Sequence, residues 1–434
     1  MTQPISHKAI SHEASLDDRL ARYDAVRALS IGLTANLSDG DATAQSMPDA
    51  SPAKWHLAHA TWFFETFVLR DHVPGYRPFD DRFAYLFNSY YEAEGPRHAR
   101  NRRGLLTRPS LDDVLAYRAH VDGAMRLALP GLDAPVQALV TLGLQHEQQH
   151  QELLATDILH LFAQNPLQQG LWPRGVRRLL PEPEPLVWHA GPAGLVEIGH
   201  DGPAFAFDCE GPRHKVHLTP YALADRTITN GEWTGFIAAG GYRDPAHWLS
   251  DGWAWVQAES ITAPLYWQPD GLDGWTRFTL SGREPVDPAE PVTHISLYEA
   301  DAFATWAGAR LPTEAEWEAM AARLDPTRGA FLDRATPCRP IGTRPEDGDE
   351  DGARQMFGDV WEWTGSAYRP YPGFHPAEGA VGEYNGKFMS GQFVLRGGSC
   401  ATPRGHVRAS YRNFFYPHQR WQFTGLRLAK DLPA

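Results

Sequence analysis

Residues 141–162 read TLGLQHEQQHQELLATDILHLF, and this stretch decides the fold of the first part of the chain. After Gly143 it contains neither glycine nor proline. Its apolar residues recur at Leu144, Leu153, Leu154, Ile158 and Leu161. This spacing predicts an amphipathic helix that packs its apolar face against other helices.

His146 and His150 lie four positions apart in this predicted helix. Side chains at that spacing project from the same face one turn apart, so the two imidazole rings can reach one metal ion. The alternative is a pair of solvated histidines on an exposed helix face. A metal site therefore needs a further ligand from elsewhere in the chain.

A second histidine-bearing segment, residues 51–72, reads SPAKWHLAHATWFFETFVLRDH. Its opening serine and proline are typical of a helix N-cap and first helical position. His56 and His59 lie among its aromatic residues, where a histidine is often a core residue with a hydrogen-bond partner. One of them facing the first pair across a bundle would complete a three-histidine site. We predict His59, because small Ala60 follows it and His56 lies nearer the start of the helix.

The letters HEQQH also match the HExxH pattern of zinc metalloproteases. In such an enzyme Glu147 is the general base and a third metal ligand follows downstream. The glycine and histidine of the extended pattern are absent, since Leu153 and Thr156 stand at those positions. Glu152 is too close to be the third ligand, and the next glutamate, Glu182, lies in a proline-rich segment. The protease interpretation is the weaker alternative.

Composition limits the classes of function. At 434 residues the chain is long enough for two or three domains. Its formal charge of −13 argues against nucleic acid and anionic membrane surfaces as partners. No apolar run reaches the ~18 residues of a membrane span, and the first residues lack the apolar core of a secretion signal. Three widely spaced cysteines suggest a reduced compartment, so we expect a cytoplasmic protein.

The chain divides into two parts of different composition. Residues 15–180 contain four long helical patterns, and four helices with inward-pointing histidines form the kind of bundle whose core holds metals. Residues 181–189 form a proline-rich linker. Residues 190–434 contain glycine, proline, tryptophan and short strand-like runs, with helical patterns at NGEWTGFIAAGG and SLYEADAFATWAGA. We predict a two-domain α+β protein, in which a four-helix bundle precedes a loop-rich mixed domain.

Phrases in the second part resemble a known fold. FDCEGPRHKVHLTPYALADRTITNGEW, RLPTEAEWE, GDVWEWTGSAY and VLRGGSC are similar to formylglycine-generating enzymes, whose domain is C-type-lectin-like. We interpret Trp361, Trp363 and Gly398 as scaffold residues of this loop-rich core. The formylglycine activity is not expected, because that chemistry uses a pair of cysteines to hold copper. Cys400 has no companion in the sequence that follows it.

A DinB-like bundle joined to this lectin-like domain resembles the ergothioneine-pathway sulfoxide synthases, the EgtB family, over nearly the whole chain. That family holds a mononuclear non-haem iron through one histidine of a WxLAH phrase and two of an HxxxHxE phrase. The resemblance therefore assigns His59, His146 and His150 as ligands of Fe(II). It also implies that O2 is a cosubstrate, and that C2 of the imidazole of hercynine (Nα-trimethylhistidine) is joined to a sulfur donor.

The segment FNSYYEAEGPRHAR contains Tyr90 and Tyr91, where one branch of the family places active-site tyrosines. The coupling reaction needs a proton or hydrogen-atom donor, and a tyrosine hydroxyl can supply one. The alternative for either ring is simple core packing.

The segment RASYRNFFYPHQRWQF matches the family's substrate-binding phrase at Asn413, Phe414 and Phe415. By this resemblance Asn413 would hydrogen-bond the hercynine carboxylate, and one of the two phenylalanines would lie against the trimethylammonium group. Gln149, between the two histidines of the first segment, would contact the free imidazole nitrogen through water.

One departure from the family concerns the donor. Members that use cysteine tend to carry an asparagine shortly after NGKFM, where this chain has Ser390 and Gly391. Loss of an amide would make room for a bulkier, uncharged donor such as the selenosugar of the related selenoneine synthases (SenA type). We lean to a selenosugar, with cysteine or γ-glutamylcysteine as the alternative.

A non-catalytic small-molecule-binding module is the alternative from a different class, because helical bundles and lectin-like domains both occur in binding proteins. Metal content distinguishes the two, since a binding module need hold no iron.

Overall fold

The computed structural model describes residues 16–433 except 176–179, 182, 272–273, 343–352, 377–381 and 383–384. Helices occupy the described chain up to residue 163, and the first described strand begins at residue 188, which confirms a two-domain α+β organisation. The helices of the first domain are α1 (Leu16–Thr34), α2 (Asp39–Thr43), α3 (Ala53–Phe64), α4 (Phe83–Phe87), α5 (Leu111–Ala128) and α6 (Ala134–Ala163).

Four long helices, α1, α3, α5 and α6, form the bundle, with α3 packed against α5 and α6 and with α1 packed against α6. The α3 helix continues into a π-helical segment, Glu65–Arg70. A Cβ atom at Gly143 would lie 2.7 Å from the ring of Phe64, so this glycine allows α3 and α6 to approach closely. In the ranges that the structure describes, no helix is long and apolar enough to cross a membrane.

In the first domain α2, α5 and α6 begin with side-chain caps, whereas α3 and α4 do not. Ser110 begins α5 with a capping box, in which its hydroxyl accepts from the N–H of Asp113 and the Asp113 carboxylate accepts from the N–H of Ser110. The N-cap expected at Ser51 is wrong, because α3 begins at Ala53 without a side-chain cap. The N–H of Ser51 instead donates to the carboxylate of Asp157 on α6, 2.8 Å away. Ser51 therefore joins the start of α3 to α6.

A buried ion-pair network holds α1, α5 and α6 together. The carboxylate of Glu147 accepts hydrogen bonds from Arg27 (2.8 Å), from Ser30 (2.6 Å) and from Arg118. Burial by itself raises the pKa of Glu147, but the two guanidinium groups outweigh it and lower that pKa to about 2. Glu147 is thus not available as a general base, which contradicts the metalloprotease interpretation.

In the described part of the second domain the strands form four small sheets. Its strands are β1 (Trp188–Ala190), β2 (Gly194–Ile198), β3 (His214–Leu218), β4 (Tyr221–Ala224), β5 (Trp267–Asp270), β6 (Gly274–Thr279), β7 (Gly282–Pro285), β8 (Trp361–Ala367), β9 (Phe393–Arg396), β10 (Asn413–Phe415), β11 (Thr424–Gly425) and β12 (Ala429–Asp431). The sheet orders are β1-β4-β12, β10-β9-β8-β11, β2-β3 and β5-β6-β7. The β1 strand begins inside the predicted linker, where Trp188 pairs with Ala224 of β4.

Helices also lie in the described part of the second domain. They are α7 (Asn230–Ala238), α8 (Ser250–Ala258), α9 (Leu297–Trp306) and α10 (Glu314–Ala321). The predictions of α7 and α9 are confirmed, whereas α8 and α10 have no counterpart among the predicted elements. The sequence of α10 is polar and does not suggest a buried helix. Its Glu314 and Glu318 can be buried because both pair with buried Arg396, at 2.9 and 3.0 Å.

We predict that Glu147→Gln lowers the free energy of unfolding by about 3–5 kcal/mol, because the buried guanidinium of Arg118 loses its carboxylate partner and Arg27 keeps only Asp122. The pKa of Glu147 is lowered from 4.5 to about 2. The stabilisation of the folded protein by its carboxylate is therefore complete above pH 4.5 and disappears as the pH falls toward 2. Urea unfolding at neutral and acid pH measures both effects. Glu259→Gln, at an exposed glutamate, is the matched control. Equal free energies of unfolding for the two variants at neutral pH would contradict the stabilising role of Glu147.

Candidate metal centre

Helices α3 and α6 bring the three predicted ligands together. The atoms of His59, His146 and His150 that can bind a metal all lie within 4.8 Å of one another. The ring centroid of His59 lies 4.9 Å from that of His146 and 4.7 Å from that of His150, and the centroids of His146 and His150 are 4.6 Å apart. This arrangement suits a single shared ion.

The surroundings keep the three imidazoles neutral. Burial lowers the pKa of His59, His146 and His150, in the case of His146 to about 4. Nδ1 of His59 lies 2.6 Å from the carbonyl oxygen of Phe87, so this nitrogen carries the donated proton. Nδ1 of His146 is buried without a hydrogen-bond partner among the described residues. Neutral imidazoles with such an unpaired nitrogen fit a divalent metal ion.

A cavity of about 330 Å³ opens beside the histidines, between the two domains. From the bundle its walls contain Tyr90, Tyr91, Arg100, Arg103 and Gln149, and from the second domain they contain Phe207, Trp361, Tyr411, Asn413, Phe414 and Phe415. A small molecule in this space would touch both domains while lying next to the three imidazoles.

The β10 strand presents the predicted substrate residues to the cavity. Because successive side chains of a strand point to opposite faces, Asn413 and Phe415 share one face. The ring of Phe414 stacks on Tyr368 at 4.2 Å and on Phe388 at 5.8 Å, so it already has two aromatic neighbours. Oδ1 of Asn413 accepts from the N–H of Phe414 (2.9 Å), which leaves the amide N–H groups of Asn413 as donors.

Tyr90 and Tyr91 both line the cavity, in different surroundings. The ring of Tyr91 is buried and packs against Trp62 and Phe67, with centroids 5.5 and 5.2 Å away. Tyr90 is half-buried, and its hydroxyl accepts a hydrogen bond from Arg100 at 2.5 Å. One tyrosine therefore belongs partly to the aromatic core and the other to the polar side of the cavity.

Ser390 and Gly391 do not line the cavity, and both are exposed. Gly391 has a φ of +72°, a turn conformation that favours glycine. Their neighbours Asn385, Phe388 and Gln392 line the cavity instead. The structure therefore places this pair in an exposed turn outside the cavity lining, and its contact with the donor stays a prediction.

Arg103 is a cavity residue that the sequence-based assignment omits. Its guanidinium carbon lies 3.3 Å from the ring centroid of Trp55, and it donates to the hydroxyls of Ser51 (2.9 Å) and Ser89 (3.1 Å). Nε of Arg103 has no partner in the described part of the chain, and burial lowers the pKa of Arg103 to about 9. A buried guanidinium in this state suits an anionic ligand group. The basic run Arg100–Arg103 beside the two tyrosines was the available sequence signal.

Comparison with known proteins shows what these two domains are. Residues 22–154 match the DinB superfamily, and residues 186–432 match the sulfatase-modifying factor enzyme 1-like domain. A protein named hercynine oxygenase from Mycolicibacterium smegmatis is 35% identical over 423 residues, which cover 91% of this chain and 94% of that one. The protein of the same name from Mycobacterium tuberculosis is 34% identical, with 92% and 95% covered.

The chain belongs to the hercynine oxygenase family. This membership confirms the EgtB-like resemblance that the two histidine phrases suggested. A formylglycine-generating enzyme of Thermomonospora curvata is 30% identical, and the match covers 55% of this chain and 92% of that enzyme. The likeness to the hercynine oxygenases therefore extends over more of the chain.

In this hercynine oxygenase family member, the glutamate of the HxxxHxE phrase joins the domains. Oε1 and Oε2 of Glu152 accept hydrogen bonds from Nε1 of Trp361 and from the hydroxyls of Ser399 (3.3 Å) and Thr402 (2.5 Å). Burial raises the pKa of Glu152 even though the three donors oppose the shift. Trp361 therefore does more than the scaffold role assigned to it, because it binds α6 and lines the cavity. Trp363, fully buried, fits that scaffold role.

Two other side chains of α6 cross the same interface. Oε1 of Gln145 lies 2.7 Å from Nδ1 of His406, and Nε2 of Gln149 donates to the hydroxyl of Tyr411 at 2.9 Å. The Tyr411 hydroxyl also lies 3.1 Å from Nε2 of His406. Gln149 is therefore oriented by the second domain, and Tyr411 is a cavity residue that the sequence-based assignment omits.

Cys400 has a companion in space. Cys338, which comes from a different loop, lines the same side cavity of about 310 Å³. Both thiols are free, and burial raises the pKa of each of them, to about 12 for Cys338.

We predict that the protein binds a divalent metal ion, and that alanine at His59, His146 or His150 sharply lowers the metal content, because two imidazoles hold an ion much less well than three. Metal analysis after anaerobic loading and gel filtration measures this. His160→Ala is the control, since that histidine bonds Ser46 outside the cluster. Wild-type metal content in all three cluster variants would show that the ion binds elsewhere.

Proposed function

We propose that this chain is an Fe(II)- and O2-dependent oxidoreductase that replaces the C2 hydrogen of hercynine by a bond to sulfur or selenium. The observation that carries this proposal is the placement of three neutral imidazoles beside a cavity whose facing wall holds the amide of Asn413 and the ring of Phe415. Membership in the hercynine oxygenase family supports the substrate and the reaction class. Three free cysteines agree with a reducing compartment, and we place the enzyme in the cytoplasm.

His59, His146 and His150 would hold the iron, because neutral imidazole nitrogen suits ferrous iron. When bound, the iron supplies the one-electron chemistry that makes O2 usable as the oxidant. Glu147 takes no part in this chemistry, since its charge is neutralised by Arg27 and Arg118.

Hercynine carries a carboxylate, a fixed trimethylammonium cation and an imidazole, and the cavity offers a counterpart for each. The amide N–H groups of Asn413 would donate to the carboxylate. The ring of Phe415, on the same face of β10, would lie against the cation. Gln149 donates its N–H to Tyr411, which leaves its amide oxygen to accept from the imidazole N–H, directly or through water.

Tyr90 and Tyr91 would supply a proton or hydrogen atom that the reduction of O2 consumes while C2 loses its own hydrogen to the coupling. Both line the cavity, and an O–H group beside the reacting centre can act as a general acid. The Tyr90 hydroxyl accepts from Arg100, which directs its own hydrogen away from the guanidinium. The buried ring of Tyr91 stands among aromatic residues, where water is excluded.

The donor is a thiolate or selenolate carried on a small molecule. A selenosugar loses the sequence support of Ser390 and Gly391, since neither lines the cavity. Arg103 would bind a carboxylate, either that of cysteine or γ-glutamylcysteine or that of hercynine. We therefore propose a bond from C2 to sulfur or selenium, and the experiment below identifies which donor supplies that atom.

Protein loaded anaerobically with Fe(II) should be mixed with hercynine and air, in separate reactions with cysteine, γ-glutamylcysteine and a selenosugar. We expect oxygen uptake and a hercynine–donor adduct by mass spectrometry in at least one reaction, and neither in the His146→Ala control. The adduct identifies the donor. Hercynine binding without oxygen uptake or adduct in every reaction would instead indicate a non-catalytic binding module.

We predict that Phe415→Leu weakens the binding of hercynine by about 0.5–2 kcal/mol more than that of histidine, because only hercynine carries the fixed cation. Phe414→Leu is the matched control, since that ring already stacks on Tyr368 and Phe388, and this variant should leave the preference for hercynine intact. Isothermal titration under anaerobic conditions gives both affinities. An unchanged preference in Phe415→Leu, or its loss in Phe414→Leu, would move the ammonium site away from Phe415.

A further inference from the structure

His56 lies outside the three-histidine cluster but contacts one of its members. Nδ1 of His56 is 2.9 Å from Nδ1 of His150, and Nε2 of His56 is 3.0 Å from Oδ2 of Asp157. His56 is 4% exposed and Asp157 is 6% exposed, so these contacts form away from bulk water. The three side chains make a continuous hydrogen-bonded chain that ends at a predicted metal ligand.

The chemistry of the three side chains determines which atom donates and which accepts in each of these hydrogen bonds. A carboxylate can only accept, so Nε2 of His56 carries the hydrogen that is donated to Asp157. An imidazole with its hydrogen on Nε2 accepts at Nδ1, so Nδ1–H of His150 is the donor to His56. Nε2 of His150 is then left with its lone pair for a metal ion.

Asp157 is itself held in place by the backbone. Oδ2 of Asp157 accepts from the N–H of Ser51 (2.8 Å), and the hydroxyl of Ser51 accepts from Arg103 (2.9 Å). Asp157 also lies two helical turns beyond His150 on α6, whereas His56 belongs to α3. The chain of contacts therefore fixes one ring of the cluster relative to two helices.

The other two histidines of the cluster are held differently. His59 donates to the backbone carbonyl of Phe87, and Nδ1 of His146 has no partner among the described residues. Of the three, His150 is thus the ligand that a side-chain pair orients. Residues that bond the far nitrogen of a metal-binding imidazole fix its tautomer and strengthen it as a ligand.

We propose that His56 and Asp157 are positioning residues, which hold His150 in the Nδ1–H tautomer and turn its Nε2 toward the metal ion. This inference rests on the proposed function, in which the three histidines bind iron. Neither residue has to touch the substrate for this role, because both act through the ring of His150.

Metal affinity tests the proposal. Fe(II) or Co(II) is titrated anaerobically into the wild type, His56→Phe, His56→Asn and Asp157→Ala. We expect His56→Phe to bind about 10–100-fold more weakly than the wild type, since mutation of such partners typically costs that factor in affinity. His56→Asn should bind more tightly than His56→Phe, because its amide oxygen can accept from Nδ1–H of His150. Asp157→Ala should also weaken binding, and His160→Phe should not.

The tautomer provides a readout that does not depend on metal. Long-range ¹H–¹⁵N spectra of the metal-free protein should show His150 as the Nδ1–H tautomer in the wild type and a mixture in His56→Phe. Circular dichroism confirms folding, and if His56→Phe fails to fold, His56→Asn and Asp157→Ala carry the test.

The outcomes separate the two claims. A wild type that binds neither metal overturns the proposed iron site together with this inference. A wild type that binds metal no better than His56→Phe and Asp157→Ala overturns the positioning role alone. The same conclusion follows if His160→Phe loses as much affinity, or if His150 keeps its tautomer in His56→Phe.

Discussion

Helix α6 is buried or half-buried at every residue from Gly143 to Leu159, although most residues of this stretch are polar. A polar group removed from water has to find a partner in the protein, so the positions of these partners constrain everything that packs around the helix. The helical repeat sorts the side chains into three stripes. They are Glu147 and Gln151 toward α1, His146 and His150 toward α3 and the cavity, and Gln145, Gln149 and Glu152 toward the second domain.

Each stripe has a different consequence. The first neutralises a buried carboxylate with two arginines and so stabilises the bundle. The second leaves neutral imidazole nitrogens beside a cavity. The third fixes the second domain against the same helix, which places β10 opposite the histidines. Because one continuous helix carries all three stripes, the histidine cluster and β10 are positioned by the same element.

Much of this arrangement could be predicted from the sequence, because it depends on local spacing. The pairing of His146 and His150 follows from their four-residue spacing on a helix, and the two-domain organisation follows from the change in composition. The placement of Asn413 and Phe415 came from resemblance to a family, and their shared face follows from strand alternation.

The remainder depends on contacts between residues distant in sequence. Ser390 and Gly391 resemble a pocket variation in the linear sequence, but the structure places both in an exposed turn outside the cavity lining. The polar sequence of α10 does not reveal that the helix is buried, because Arg396, the ion-pair partner of its Glu314, lies some 80 residues away. No local pattern could show that His56 bonds His150, since the two residues are 94 positions apart.

Helix α6 holds the cavity together by binding the second domain, and amide hydrogen exchange of the Glu152→Ala variant measures this coupling. Loss of this carboxylate leaves Trp361, Ser399 and Thr402 without their acceptor. If the interface depends on this carboxylate, we expect faster exchange in peptides covering residues 144–157 and 399–411, with β3 (residues 214–218) unchanged. Exchange equal to that of the wild type in the first two regions would contradict it, because each domain would then hold its side of the cavity without the other.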